Sequence, residues 1–152
     1  MTYTSAEAQQ ELLDSVAEAA DEIGFALASL GDAYEQLDEQ TADTLEAQLF
    51  GPVQAAYGRL KRTHAESARR HQLASRTFEP QAGGLPSVGA KGLIDQAVEA
   101  VGRADSMLAA VQDSPFLIEV GDVELRAGLT ETRELLGGVG GRARELERTL
   151  GR

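Results

Sequence analysis

Residues 41–76, TADTLEAQLFGPVQAAYGRLKRTHAESARRHQLASR, decide the fold. Apolar or small residues recur at Leu45, Leu49, Val53, Ala56, Leu60, Ala68 and Leu73. Steps of three and four put them on one face of a long helix, expected over about 42–76. Thr41 and Asp43 suit its start, where side-chain oxygens accept from unpaired amides and an acid meets the positive end of the dipole. Pro52 lacks a backbone donor and its ring clashes with the carbonyl four residues back, which predicts a kink near Leu49.

The polar face of the same stretch changes character along its length. Arg59, Lys61, Arg62, Arg69, Arg70 and Arg76 stand against one acid, Glu66, a net of +5. His64 and His71 continue a line from Tyr57 at steps of seven. Upstream, residues 1–58 hold twelve acids and no base.

Working outward, an N-terminal helix is expected over about 4–37, opened by the capping-box pair Thr4 and Glu7. Its stripe is Leu12, Val16, Ala19, Ile23, Leu27, Leu30, Tyr34 and Leu37. The opposite face carries Glu7, Glu11, Asp14, Glu18, Asp21 and Glu22, with like charges at i,i+4 that repel. A turn near 38–40 brings Glu18, Asp21 and Glu22 level with Arg59 and Arg62, and Glu7, Glu11 and Asp14 level with Arg69 and Arg70. This charge matching predicts that the first two helices pair with each other.

Residues 77–91, TFEPQAGGLPSVGAK, have two prolines, three glycines and no helical period, and read as a linker. Phe78, Leu85 and Val88 suggest that it lies against the helices. A third helix is expected over about 92–112, with Ile94, Ala97, Val98, Val101, Ala104, Leu108 and Val111 inward. Ser114 and Pro115 restart the chain as N-cap and first helical residue of a fourth, about 115–136. That helix should bury Ile118, Leu125, Leu129, Thr132 and Leu136. A hairpin over 116–127, turning at Gly121-Asp122, competes with it, although a lone hairpin has no sheet to join. Gly137, Gly138, Gly140 and Gly141 cost up to ~1 kcal/mol each in a helix. They predict a hinge over 137–141 and a short terminal helix over 142–150.

The expected fold is therefore all-α: an antiparallel four-helix bundle with two long N-terminal helices, in a single domain over 1–152. With 5% aromatics and no tryptophan, its core must rest on Leu, Val, Ala and Ile. The absence of cysteine excludes disulfides, thiolate metal sites and cysteine nucleophiles. No apolar run reaches the ~18 residues of a bilayer span, and the N-terminus lacks the basic start and apolar core of a secretory signal. Cytoplasmic location without a membrane partner is the expectation. Twelve arginines against two lysines match the composition of GC-rich bacterial genomes.

Each candidate chemistry has a plainer reading. His64 and His71 are the candidate metal or ligand site, yet bundle metal sites draw ligands from several helices and no Glu-x-x-His occurs. The basic half of the second helix could bind nucleic acid, but a nucleic-acid protein shows a basic excess; this chain carries −11. Gly84 to Lys91 nearly spells a phosphate loop, but Ala90 breaks the spacing and no strand precedes it. Gly-x-Ser-x-Gly is absent. No cofactor and no catalytic residue is expected. The reading is a non-enzymatic module that binds a protein partner or a second copy of itself. Its interaction candidates are Arg59, Arg62, Arg69 and Arg70, with the glycines at 137, 138, 140 and 141.

Overall fold

The computed structural model describes residues 5–150 other than Gly121, and Val120 in its backbone only. Every element among them is helical, with no strand. The elements are α1 (Ser5–Glu35), α2 (Glu39–Leu45), a π-helical turn (Glu46–Phe50), α3 (Gly51–Arg70), a 3-10 turn (Pro86–Val88), α4 (Gly89–Gln112), α5 (Pro115–Val120), α6 (Val123–Leu136) and α7 (Val139–Leu150). Thr4, proposed above as the first N-cap, lies outside the described residues, as does Gly121 of the alternative hairpin. α5 ends at Val120 and, after the extended Asp122, α6 starts at Val123.

α2, the π turn and α3 run on as one rod. It starts three residues before the predicted start because Asp38, not Thr41, is the cap. The Asp38 carboxylate accepts from Thr41 N and Thr41 Oγ1, each at 2.9 Å. These bonds hold the Asp38 carboxyl below its ordinary range.

Pro52 does not stop the helix, which continues through it with a local change of hydrogen bonding. Its missing N–H would have served the Gln48 carbonyl, and its ring would have struck that oxygen. The chain widens by one residue instead, so that Gly51 N–H donates to Glu46 O, five positions back. The freed Gln48 carbonyl then accepts from Arg142 Nε at 2.8 Å. Arg142→Ala should cost about 1 kcal/mol or less, since water can reach the site. The cost should vanish in a Pro52→Ala background, where residue 52 can donate to Gln48 O. Urea midpoints of the four proteins would measure that coupling.

The rod ends at Arg70, six residues before the predicted end. Gln72 takes the left-handed conformation (φ 55°), Leu73 N donates to Ala68 O at 2.8 Å and Gln72 N to Arg69 O at 3.3 Å. This closes the last turn in the manner usually assigned to glycine, which is why no sequence signal announced it.

Residues 71–88 form a strap that climbs along α1. Arg76 meets Asp21 at 2.7 and 2.9 Å, Gly84 N donates to Ser29 Oγ at 2.9 Å, and Gln36 Nε2 reaches Pro86 O at 3.4 Å. At Gly83 the backbones nearly touch: a Cβ there would lie 3.0 Å from Ala28 O. Phe78 packs against the core as expected, whereas Leu85 and Val88 are exposed.

The core is aliphatic and rich in alanine. Val16, Ala19, Ile23, Ala26 and Ala33 of α1 are fully buried, as are Ile94, Ala100, Ala104 and Leu108 of α4. Such small side chains let helix axes come close. α1 packs most extensively against α4, and α3 against α6. Charge matching had paired α1 with the rod. Arg59 and Arg70 choose otherwise, pairing with Glu131 and Asp122 outside α1, and Glu22 of α1 takes Arg103 of α4, whereas Arg76 does reach α1 at Asp21.

The predicted fourth helix is two, α5 and α6, with Asp122 extended ahead of α6. The expected glycine break follows α6 at Gly137-Gly138, but α7 resumes at Val139 rather than 142. Val139 is buried and anchors the restart, so Gly140 and Gly141 are helical and the break is two residues long. Ile118, expected inward, is 69% exposed.

Candidate functional site

The densest polar cluster joins the end of α3 to the start of α6. Ser67 and Arg70 lie one turn apart on α3, and His71 follows its last residue, so all three project from one side. They converge on Asp122, the N-cap of α6, which is only 4% exposed. Asp122 accepts from Leu125 N at 2.9 Å, Ser67 Oγ at 3.1 Å, Arg70 Nη2 at 2.8 and 2.9 Å, and bonds His71 Nε2 at 2.8 Å. Gln9 Nε2 from α1 lies 3.1 Å from His71 Nδ1. With the Gln9 amide donating there, His71 donates from Nε2 to the carboxylate.

Burial alone would raise the Asp122 carboxyl. The donors from Leu125, Arg70 and His71, with the Arg70 charge, outweigh it and hold the group at about 2. Serine, histidine and aspartate are thus all present, but the wiring is not that of a nucleophile. Ser67 donates to the aspartate, not to the histidine, and a carboxylate at about 2 is a weak base. The space among Gln9, Leu12, Ser67, His71, Asp122 and Leu125 does not admit a water molecule. What this arrangement does is tie α1, α3 and α6 together.

His64 is elsewhere. It is buried, its ring meets Phe78 edge-on at 5.5 Å, and its Nδ1 has no hydrogen-bond partner. Burial, helped by the Arg76 charge, lowers its pKa and favours the neutral ring. The two candidate histidines therefore face different partners. Among the described residues no group of three or more His, Asp or Glu side chains is arranged to hold a metal ion.

The other candidates scatter too. Arg59 donates to Glu131 and to Thr63 Oγ1, and Arg70 belongs to the Asp122 cluster. Arg62 and Arg69 are exposed on α3. Gly137 and Gly138 form the α6–α7 break, while Gly140 and Gly141 lie in the first turn of α7.

Of the open grooves, two are larger. One, about 480 Å³, lies between the rod and α7, with the polar residues Gln40, Thr44, Gln48, Arg142 and Thr149 in its walls. The other, about 450 Å³, lies among α1, α3 and the strap, and gathers Phe50, Tyr57 and Phe78. Lys61 sits 4.1 Å over the Tyr57 ring at its edge. No described helix is long and apolar enough to cross a membrane.

Sequence reading missed Asp122 because it lies in the Gly-Asp pair read as the turn of the alternative hairpin. The signal was present: an aspartate three residues before Leu125 is an N-cap between two helical pieces. Comparison with protein-family models, with curated proteins and with solved structures finds no match, so the site is read from its own geometry.

Proposed function

We propose that the chain is a non-enzymatic helical module that binds a protein partner or a second copy of itself. Its contact surface in this reading is the α5–α6 corner. One observation carries it: Ile118 and Val123, two large aliphatic side chains on either side of that corner, are 69% and 65% exposed. Neighbouring Glu119 and Glu124 are exposed as well, which gives the apolar pair the charged surround of a contact patch. The scaffold behind it is read as an antiparallel bundle. Supporting this are contacts that run in opposite directions along paired helices: Gln9 with His71 and Gly24 with Tyr57, then Arg59 with Glu131 and Arg70 with Asp122.

The test is native mass spectrometry and partner capture with the wild type and with Ile118→Glu/Val123→Glu. Both positions are surface sites, so stability should change by about 0.5 kcal/mol or less. A homo-oligomer or captured protein lost in the double variant supports the module. An assembly state and partner set identical in both proteins would overturn it.

A further inference from the structure

We propose that the groove among α1, α3 and the strap binds a small aromatic carboxylate, its ring against Phe50, Tyr57 and Phe78 and its acid group on Lys61. The chain has seven aromatic side chains, and these three, all half-buried, line this one groove. Phe50 and Tyr57 stand on the rod, and Phe78 arrives on the strap. At about 450 Å³ the groove has the size of small-molecule sites, which combine apolar and aromatic walls with few polar groups.

α1 keeps the remaining wall low. Gly24, Ala28 and Gly31 line it, and a Cβ added at Gly31 would meet nothing within 4 Å. An interior helical glycine is unfavourable, and no neighbour asks for one here. At Gly83, by contrast, the Ala28 carbonyl leaves no room for a side chain. The space that Gly31 leaves open is a flat floor on which a planar ring can lie.

The charge at the groove has one sign. Among the described residues that line it, Lys61 alone is charged, in a chain of net −11. Residues 1–58 hold twelve acids, yet residues 24–31, which face the groove, hold none. The acids that flank this stretch are drawn away: Asp21 is bound by Arg76 at 2.7 and 2.9 Å, and Asp32 lies against Gly83 of the strap. Lys61 has no carboxylate partner among the described residues. Its ammonium rests 4.1 Å over the Tyr57 ring, whose face attracts a cation. A ligand carboxylate at this edge gains a charge-assisted hydrogen bond from Lys61, whereas a ligand amine meets a like charge. Aromatic walls, a flat floor and one unpaired cation at the rim therefore select a planar ring bearing an acid.

This inference is independent of the α5–α6 corner, so the Ile118→Glu/Val123→Glu variant should bind as the wild type does. The probe is naphthoate, titrated into the full chain and followed by amide chemical shifts. For a ligand of about thirteen heavy atoms, a Kd of about 1 mM or tighter is expected. The amides of Gly24, Gly31, Tyr57 and Lys61 should move, and those of Ile118 and Val123 should not. Lys61→Gln should weaken binding by about threefold to tenfold, and Lys61→Arg should restore most of it. Gly31→Leu fills the floor from an open position and improves helix propensity, so it should fold and lose binding. Lys61→Gln is a rim substitution and keeps the test intact should Gly31→Leu misfold. Naphthylmethylamine, of similar size and opposite charge, should bind more weakly than naphthoate. Absence of saturable naphthoate binding in the wild type, or shifts outside the groove alone, would overturn the proposal. So would an affinity unchanged in Lys61→Gln or in folded Gly31→Leu, or amine binding as tight as that of the acid.

Discussion

Asp122→Ala is expected to lower stability by about 2–4 kcal/mol, through loss of a charge-assisted acceptor and of a helix cap together. The substitution leaves Ser67, Arg70 and His71 without their shared acceptor, and it strips the first turn of α6 of its cap. Asp122→Asn separates the two losses. Asparagine caps a helix about as well as aspartate, so the variant should keep the cap and lose the charge. The carboxyl titrates at about 2 in the folded chain against an ordinary 3.8. Its contribution, about 2 kcal/mol, is therefore complete above pH 4 and is lost as pH falls toward 2. Urea denaturation from pH 2 to 7 should show that acid-side loss in the wild type and a smaller one in Asp122→Asn. Equal slopes in both would mean that Asp122 is not the charged centre of the cluster.

Gly128→Ala should destabilise by about 1–3 kcal/mol, against the usual sign for an interior helical glycine. Helix propensity alone favours alanine by about 1 kcal/mol. Here a Cβ would overlap Thr63 Oγ1 and Cγ2, and would sit 2.9 Å from Thr63 Cβ. Thr63 cannot simply turn aside. It is buried, its hydroxyl donates to Arg59 O at 2.8 Å, and it accepts from Arg59 Nη1 at 2.9 Å. Either α3 and α6 move apart or that bonding breaks, and overpacking of this kind outweighs propensity. Removing the obstacle should restore the ordinary sign: Thr63→Ala/Gly128→Ala should be more stable than Thr63→Ala alone. If the alanine destabilises equally in both backgrounds, the closeness of α3 and α6 at this point is not what the glycine serves.

The helices themselves were legible because their signals are local. Periodic Leu12, Val16 and Ile23 on α1, and Leu49, Val53 and Leu60 on the rod, are buried as their spacing implies. Partner choice was not legible. Arginines facing twenty-five acids have many acceptable matches, and Arg59 and Arg70 took Glu131 and Asp122 rather than α1. Nor did proline decide its own outcome. Pro52 demanded relief, and the form it took, a π turn whose freed Gln48 carbonyl accepts from Arg142, depends on a residue 94 positions beyond that carbonyl. Of the candidate site residues, Arg70 and His71 do meet, but at an aspartate that no periodicity marks. Its capping role emerges only once α6 starts afresh at Val123.

The strap along α1 has a consequence for synthesis on the ribosome. α1 ends at Glu35, while α4, against which it packs most extensively, is complete only at Gln112. At ~5–20 residues per second, about 75 residues of delay leave the alanine-rich flank of α1 without its main neighbour for roughly 4–15 s. The rod is available sooner, and the strap follows it before α4 emerges. A nascent chain arrested near residue 88 would thus be a folding intermediate with one apolar flank of α1 still open, and that flank is where a chaperone would first find this protein.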